Sequence, residues 1–227
     1  MALYLGNNKV SMKSGYTTTG LKDFLEHNGK FSGTNYTDLN DILKYEDTEN
    51  LRYMYNFFKY CEKITSIPKL NTSNAINMFG MFEGCTKLIS IPQLDTHNCS
   101  MFHRMFYSCI NLTSIPKLNT SKADTMNDMF YNCQKLTIIP QLDASNVTNL
   151  NNIFYDCSNL EQIHMTGMKA SFNISASTLF TRDALLEILN NLATVTSTKT
   201  LTMGSTNLAK LTDEDKSIAT NKGWTLA

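Results

Sequence analysis

The feature that most constrains this chain is a repeat of 24 residues. Cysteines recur at this spacing from Cys61 to Cys157, and prolines recur at it from Pro68 to Pro140. Phenylalanines form a third register, three residues before each of these cysteines. Five copies, here called the first to fifth repeats, begin near residues 47, 71, 95, 119 and 143. Because three independent markers keep one spacing without an insertion, the chain is predicted to consist of similar, stacked units.

Each repeat combines two kinds of apolar spacing. In the fourth repeat the first part is spaced as one face of a helix, at Ala123, Met126, Met129, Phe130 and Cys133. The second part places leucine or isoleucine at every third residue up to Leu142. A short helix followed by a short extended segment, stacked on copies of itself, predicts an α/β solenoid. Because proline cannot donate to a ladder, we expect strands of three or four residues, such as Leu112–Ile115.

The repeat resembles the BspA-like leucine-rich repeats of bacterial and phage proteins. The match is carried by Met129-Phe130-x-x-Cys133-x-x-Leu136-Thr137 and the equivalent residues of the other copies. It covers residues 47–166 and implies a leucine-rich-repeat-like fold of 24-residue helix–short-strand coils with terminal caps. Residues 3–10 are similar to the opening of some phage tail and baseplate proteins, and residues 201–225 to the end of prophage-encoded proteins. These two terminal resemblances imply a phage setting.

Residues 1–46 are expected to form an N-terminal cap or attachment region. Leu3–Leu5 can pair as a strand, and helices are predicted at Leu21–His27 and at Thr37–Tyr45. The first ten residues fit either a strand of the cap or a docking arm, and the sequence leaves both interpretations open.

Residues 167–227 are expected to form two longer helix–strand units that cap the other end. A helix is predicted from the N-cap Thr181 to Leu192, and a strand at Lys199–Met203. Thr212 and Asp215 have the spacing of a capping box. Trp224, in the last predicted strand, is expected to close the end of the core.

Two columns of the repeat are predicted to be structural core. They are Cys61, Cys85, Cys109, Cys133 and Cys157, with Phe58, Phe82, Phe106, Phe130 and Phe154. A cysteine ladder is compatible with disulfides or with metal binding. Parallel side chains in an apolar setting favour inert thiols instead, since free cysteine is among the most buried residue types. We therefore expect no metal site.

Two further columns are candidate binding surfaces. Tyr107, Tyr131 and Tyr155 are predicted to be exposed, because Lys59 and Glu83 occupy the same column in earlier repeats. Such rings can contact sugar or protein, or simply stack on one another. After each proline, Lys69 and Lys117 alternate with glutamine, and two residues later asparagine alternates with aspartate. This alternation either keeps like charges apart or forms a functional stripe.

Composition and motifs exclude several functions. Twenty basic and twenty acidic residues give no net charge, so neither nucleic acid nor an anionic membrane surface is an expected partner. No apolar run is long enough to insert in a membrane. The sequence has no nucleophile elbow, phosphate-binding loop or zinc-protease motif, so we expect no enzyme and no cofactor.

The expected function is therefore structural. The first hypothesis is a virion protein of a tailed phage, located in the virion and attached to other virion proteins through its N-terminal region. It would display the repeats for adhesion to a host-surface protein or glycan, or as decoration of the tail, baseplate or fibre. Assembly as a homo-oligomer fits this hypothesis. The alternative is a bacterial cell-surface leucine-rich-repeat adhesin.

Overall fold

The structure is a computed structural model that describes residues 2–5, 8–11 and 48–227. The strands are β1 (Ala2–Leu5), β2 (Asn8–Ser11), β3 (Ile138–Asp143), β4 (Gln162–Thr166), β5 (Phe172–Asn173), β6 (Lys199–Thr202) and β7 (Trp224–Leu226). The helices are α1 (Arg182–Asn191), α2 (Ser205–Leu208) and α3 (Asp213–Thr220). In this described part, no helix has the length and apolar character needed to cross a membrane.

The N-terminal strands β1 and β2 form an antiparallel hairpin, in which Ala2 pairs with Ser11 and Leu5 with Asn8. The strand predicted at Leu3–Leu5 lies within β1. The two helices predicted at residues 21–27 and 37–45 lie outside the described residues.

The five repeats stack in parallel, with equivalent residues side by side. Backbone bridges join residues 24 apart along one column: Tyr53, Asn77, Met101, Thr125 and Asn149. The apolar columns of the repeats meet in one buried cluster, which continues as far as Trp224. Because the repeats stack, residues that are one period apart in the sequence contact one another in columns. Burial of the apolar columns makes the main contribution to the stability of the fold.

The prediction of a helix in each repeat is wrong. Residues 48–166 contain no α-helix, and the segment expected to be helical is a run of turns. Every repeat places two residues, four apart, in the left-handed backbone region: Asn56 and Tyr60, Gly80 and Gly84, Arg104 and Ser108, Asp128 and Asn132, Asn152 and Asp156. Glycine, asparagine and aspartate tolerate this region best. Their recurrence at these positions was a sequence signal against a helix.

Hydrogen bonds between repeats explain why the turns replace a helix. The N–H groups of Met126, Asp128, Phe130 and Asn132 donate to carbonyls of the fifth repeat at 2.7–3.2 Å. The residues between them close tight turns within the repeat, as when Met129 N–H donates to the Met126 carbonyl at 3.1 Å. An α-helix would use these same N–H groups for its own bonds. Stacking and helix formation therefore compete, and stacking prevails.

The segments around the prolines are largely irregular. Within the described residues, only the segment around Pro140 forms a strand, β3, and it pairs in parallel with β4. The register of this pair shifts between Ile139 and Leu142, on either side of the proline. The strand predicted at Leu112–Ile115 is absent. One backbone hydrogen bond, from Thr113 N–H to the Ile89 carbonyl at 3.0 Å, joins that segment to the preceding repeat.

The C-terminal elements follow the sequence prediction. Thr181 caps α1 by accepting a hydrogen bond from Ala184 N–H at 3.2 Å, and the capping box of Thr212 and Asp215 opens α3. Strands β5, β6 and β7 form a parallel sheet, and the short helix α2 was not predicted. The Trp224 indole is buried and donates to the Ala193 carbonyl at 2.8 Å.

Substitutions in the left-handed column test the turn architecture. Gly84 has φ +73°, and a Cβ there would lie 2.3 Å from Cδ1 of Tyr60. We expect Gly84→Ala to lower the free energy of unfolding by about 2 kcal/mol, through backbone strain and this contact. In the next repeat Ser108→Gly relieves the same strain, and we expect a gain of up to about 1 kcal/mol. Urea denaturation measures both, and equal signs for the two variants would contradict the turn assignment.

Candidate functional site

A polar groove of about 1100 Å³ runs across the five repeats, along the side that follows each proline. Residues of five columns line it, and every repeat contributes side chains to it. These include Lys69, Gln93, Lys117 and Gln141 in one column, with Asn71, Asp95, Asn119 and Asp143 in another. The alternating stripe noted in the sequence therefore lines a concave surface.

Buried threonines bond neighbouring repeats together at the floor of the groove. The Thr96 hydroxyl donates to the Asn119 carbonyl at 2.9 Å and accepts from Asn119 N–H at 2.8 Å. Thr72 and Thr120 make the same pair of bonds to the repeats that follow them. Each of these three threonine side chains is buried. This ladder was not predicted, although its threonines are 24 residues apart in the sequence.

The asparagine and aspartate column shapes the rim of the groove. Asn119 Oδ1 accepts from both N–H and hydroxyl of Ser121, and Asp95 accepts from N–H of His97 at 3.2 Å. The His97 ring lies 2.6 Å from the Asp95 carboxylate, and this hydrogen bond lowers the Asp95 pKa below its usual range. These local turns hold the column in one orientation along the groove.

The charged side chains of the groove alternate with neutral ones, as the sequence indicated. Lys117 Nζ donates to Gln141 Oε1 at 2.9 Å, and Gln93 donates to the Lys117 carbonyl at 2.7 Å. Both lysines of the candidate surface, Lys69 and Lys117, line the groove and are exposed. The groove thus offers ammonium, amide and carboxylate groups in a fixed order.

The candidate tyrosines form a continuous stack on another part of the surface. The ring centroids of Tyr107 and Tyr131 are 4.4 Å apart, and those of Tyr131 and Tyr155 are 4.6 Å apart. The Arg104 guanidinium lies 4.3 Å from the Tyr107 ring centroid. Only Tyr155 is largely exposed, whereas Tyr107 and Tyr131 are half-buried. Burial, followed by the neighbouring phenols, raises the Tyr131 pKa.

Glu83 belongs to the tyrosine column but is buried, so the prediction that this column is exposed is wrong at this position. Its side chain is only 1% exposed, and its carboxylate lies 3.0 Å from Lys59 Nζ and 3.0 Å from the Arg104 guanidinium. Glu83 therefore holds Arg104, which in turn covers the first ring of the tyrosine stack. The burial of Glu83 was not predictable from its own repeat, because its partners come from the repeats before and after it.

The two columns predicted as core lie in the interior. The five phenylalanine rings are buried and nearly parallel, with centroids 5.4–6.0 Å apart. The cysteines are buried free thiols. From Cys85 to Cys157, each thiol of this column donates to a phenylalanine carbonyl of the preceding repeat at 2.8–3.1 Å. Among the described residues, no three histidine, cysteine or acidic side chains gather as metal ligands would.

These thiols are expected to be unreactive in the native protein. Burial raises the pKa of Cys99 and of Cys157 to about 12, and raises the pKa of Cys109 and Cys133 as well. Since the thiolate is the nucleophile, a disulfide reagent at neutral pH should label none of the six cysteines. In denaturant it should label all six. Rapid labelling of a native thiol, followed by absorbance, would contradict this assignment.

Comparison with known proteins agrees with the architecture. Two overlapping segments, residues 26–138 and 109–203, match the family model described as "Mycoplasma protein of unknown function, DUF285". The chain belongs to this family. The matched segments of the DUF285 protein together span well over half of its length and include all five repeats. No curated protein matches the sequence.

A solved structure of similar shape is the leucine-rich repeat protein TpLRR of T. pallidum. The TM-score is 0.51 at 16% identity, and the match covers 78% of this chain and 79% of that chain. At this identity the similarity concerns the fold alone, which is leucine-rich-repeat-like. Together with the family match, it confirms the resemblance to BspA-like leucine-rich repeats.

Proposed function

We propose that this DUF285 protein is a non-enzymatic binding protein whose groove holds an extended segment of a partner protein. The observation that carries the proposal is the groove itself, a concave surface of about 1100 Å³ lined by aligned polar side chains. This volume exceeds that of most pockets for small molecules, which measure about 300–1000 Å³. An elongated ligand that crosses several repeats fits this shape better than a compact one.

The chemistry of the groove supports a polypeptide as the ligand. Lysine, glutamine, asparagine and aspartate side chains can donate to carbonyls and accept from N–H groups. Among the described residues that line it, His97 carries the only aromatic ring, so the groove offers sugar rings no phenylalanine, tyrosine or tryptophan to stack on. The groove carries both lysines and aspartates, which suits a ligand with polar groups of both signs.

Peptide selection tests the groove directly. A random peptide library displayed on phage is selected against the purified protein, and the affinity of the enriched peptides is measured by calorimetry. We expect Lys117→Ala and Gln141→Ala together to weaken binding about tenfold or more, since Lys117 and Gln141 act as a bonded pair. Lys135→Ala is the matched control, because Lys135 is exposed but does not line the groove. Equal loss in both variants, or no enriched peptide, would reject the groove.

For the biological setting we propose a tailed-phage virion, with the N-terminal region attached to other virion proteins. The support for it is the resemblance of both chain ends to phage and prophage proteins. A bacterial cell-surface adhesin is the second candidate, and it is favoured by the bacterial origin of both the matched family and the matched structure.

Mass spectrometry of purified particles from the source culture separates these two settings. Stoichiometric presence in the particle, with immunogold labelling at the tail, baseplate or head, supports the virion. Absence from particles together with presence in the cell-surface fraction supports the adhesin. Rejection of the virion or of the adhesin hypothesis does not affect the groove hypothesis, because the peptide experiment uses the isolated protein.

A further inference from the structure

The tyrosine stack has one open end. Tyr131 is sandwiched between two rings, and Tyr107 lies between the Tyr131 ring and the Arg104 guanidinium. Tyr155 has Tyr131 on one face only and is 53% exposed. Tyr155 also lines a cavity together with residues of the unit that follows the fifth repeat. This is the only ring of the three with a face left for a ligand.

The unit after the fifth repeat does not continue the ladder beside Tyr155. In the fourth repeat, the N–H groups of Asp128, Phe130 and Asn132 all donate to the next repeat. Among the described residues, none accepts a hydrogen bond from the equivalent N–H groups of Asn152, Phe154 and Asp156. In the unit that follows, Ile174 N–H donates to the Thr202 carbonyl of β6 at 2.8 Å.

A cavity of about 350 Å³ opens where the two units separate. It is lined by Phe154, Tyr155 and Asp156 on one side, and by Asn173, Ser175 and Ala176 on the other. Asn173 Oδ1 already accepts from Ser175 N–H at 2.7 Å, which leaves the amide N–H groups of Asn173 to donate to a ligand. The cavity thus combines an open aromatic face, a carboxylate, an amide and unpaired backbone donors. Its volume lies near the lower end for ligand pockets.

We propose that this cavity binds a sugar ring of a glycan, with the ring stacked on the open face of Tyr155. The apolar face of the sugar would extend the stack, since an aromatic ring offers an apolar surface with a specific geometry. The sugar hydroxyls both donate and accept hydrogen bonds, so they match the Asp156 carboxylate and the Asn173 amide together.

Other ligand classes fit the cavity less well. An anionic ligand would meet the carboxylate of Asp156, a contact that like-charge repulsion disfavours. An extended peptide needs a long surface, whereas the cavity holds about a third of the volume of the groove. The site is also separate from the groove, because the two share no lining residue.

A glycan array probed with the purified protein tests the proposal. We expect a subset of neutral glycans to be retained, and Tyr155→Ala to weaken their binding about tenfold or more. Asp156→Asn should also weaken it, and asparagine keeps the left-handed backbone of this position, φ +57°. Saturation-transfer NMR on the best glycan should place the strongest signals on hydrogens of one ring face.

Two controls make the result decisive. Tyr53→Ala removes another exposed tyrosine, 46% exposed in the first repeat and outside the stack, and should leave glycan binding unchanged. Lys117→Ala, in the groove, should also leave it unchanged, so that failure of the groove and failure of this site remain distinguishable. The proposal is overturned if no glycan is retained, or if the retained glycans bind Tyr155→Ala as strongly as the original protein.

Discussion

Replacing Phe106 with alanine is expected to lower the free energy of unfolding by about 3–5 kcal/mol. Phe106 is fully buried in the middle of the phenylalanine ladder, with ring centroids of Phe82 and Phe130 at 5.5 and 5.7 Å. Backbone hydrogen bonds fix the repeats on both sides, since Phe106 N–H donates to Met129 and Phe82 N–H to Met105, each at 2.9 Å. The void that alanine would leave at position 106 therefore has little freedom to collapse. This places the loss of unfolding free energy in the upper part of the range.

Urea denaturation followed by circular dichroism measures this loss. Ile89→Ala is a suitable control, because Ile89 is an apolar side chain that is 49% exposed, and we expect a change within about 0.5 kcal/mol. A similar loss for both variants, or a loss below about 1 kcal/mol for Phe106→Ala, would show that the ladder does not form the core.

Thr96→Val is the second substitution with a large expected effect, about 2–4 kcal/mol. Valine has nearly the same shape as threonine, but it can neither accept from Asn119 N–H nor donate to the Asn119 carbonyl. Both backbone groups would then lose their partner beside a side chain that is 1% exposed. Each buried polar group left without a hydrogen bond costs about 1–3 kcal/mol, whereas the gain from a buried methyl group is smaller.

Thr113→Val is the matched control for the threonine ladder. Its hydroxyl also donates to a backbone carbonyl of the preceding repeat, that of Ile89 at 3.2 Å, but the side chain is exposed. Water can replace the missing bond there, so we expect a change within about 0.5 kcal/mol. If chemical denaturation gives equal values for the two variants, the threonine ladder does not hold the repeats together.

Much of the fold could be predicted because the equivalent residues that contact one another in neighbouring repeats are always 24 residues apart in the sequence. Cysteine, phenylalanine and proline registers identified the stacking and the core columns without any knowledge of the backbone. The C-terminal helix α1 and the capping box of α3 were also predictable, since their signals are local. The prediction of a helix inside each repeat was wrong. Apolar spacing alone does not reveal whether a backbone N–H group bonds within its own repeat or to the next repeat.

The candidate sites, too, were visible in the sequence only in part. The alternating lysine and glutamine column was visible in the sequence, but only the structure places it in a groove. The tyrosine column was visible too, and its stacking follows from the spacing. The sequence did not reveal that Glu83 is buried between Lys59 and Arg104, or that the stack ends open at Tyr155.

The sequence by itself determined the period, the order of the columns and which of them are apolar. These follow from residues one repeat apart, whose alignment is the same at every level of the stack. The tertiary structure alone decided the turns, the groove and the cavity beside Tyr155. Each of these depends on where a backbone donor finds its acceptor in a neighbouring unit, and that choice is made only when the units meet.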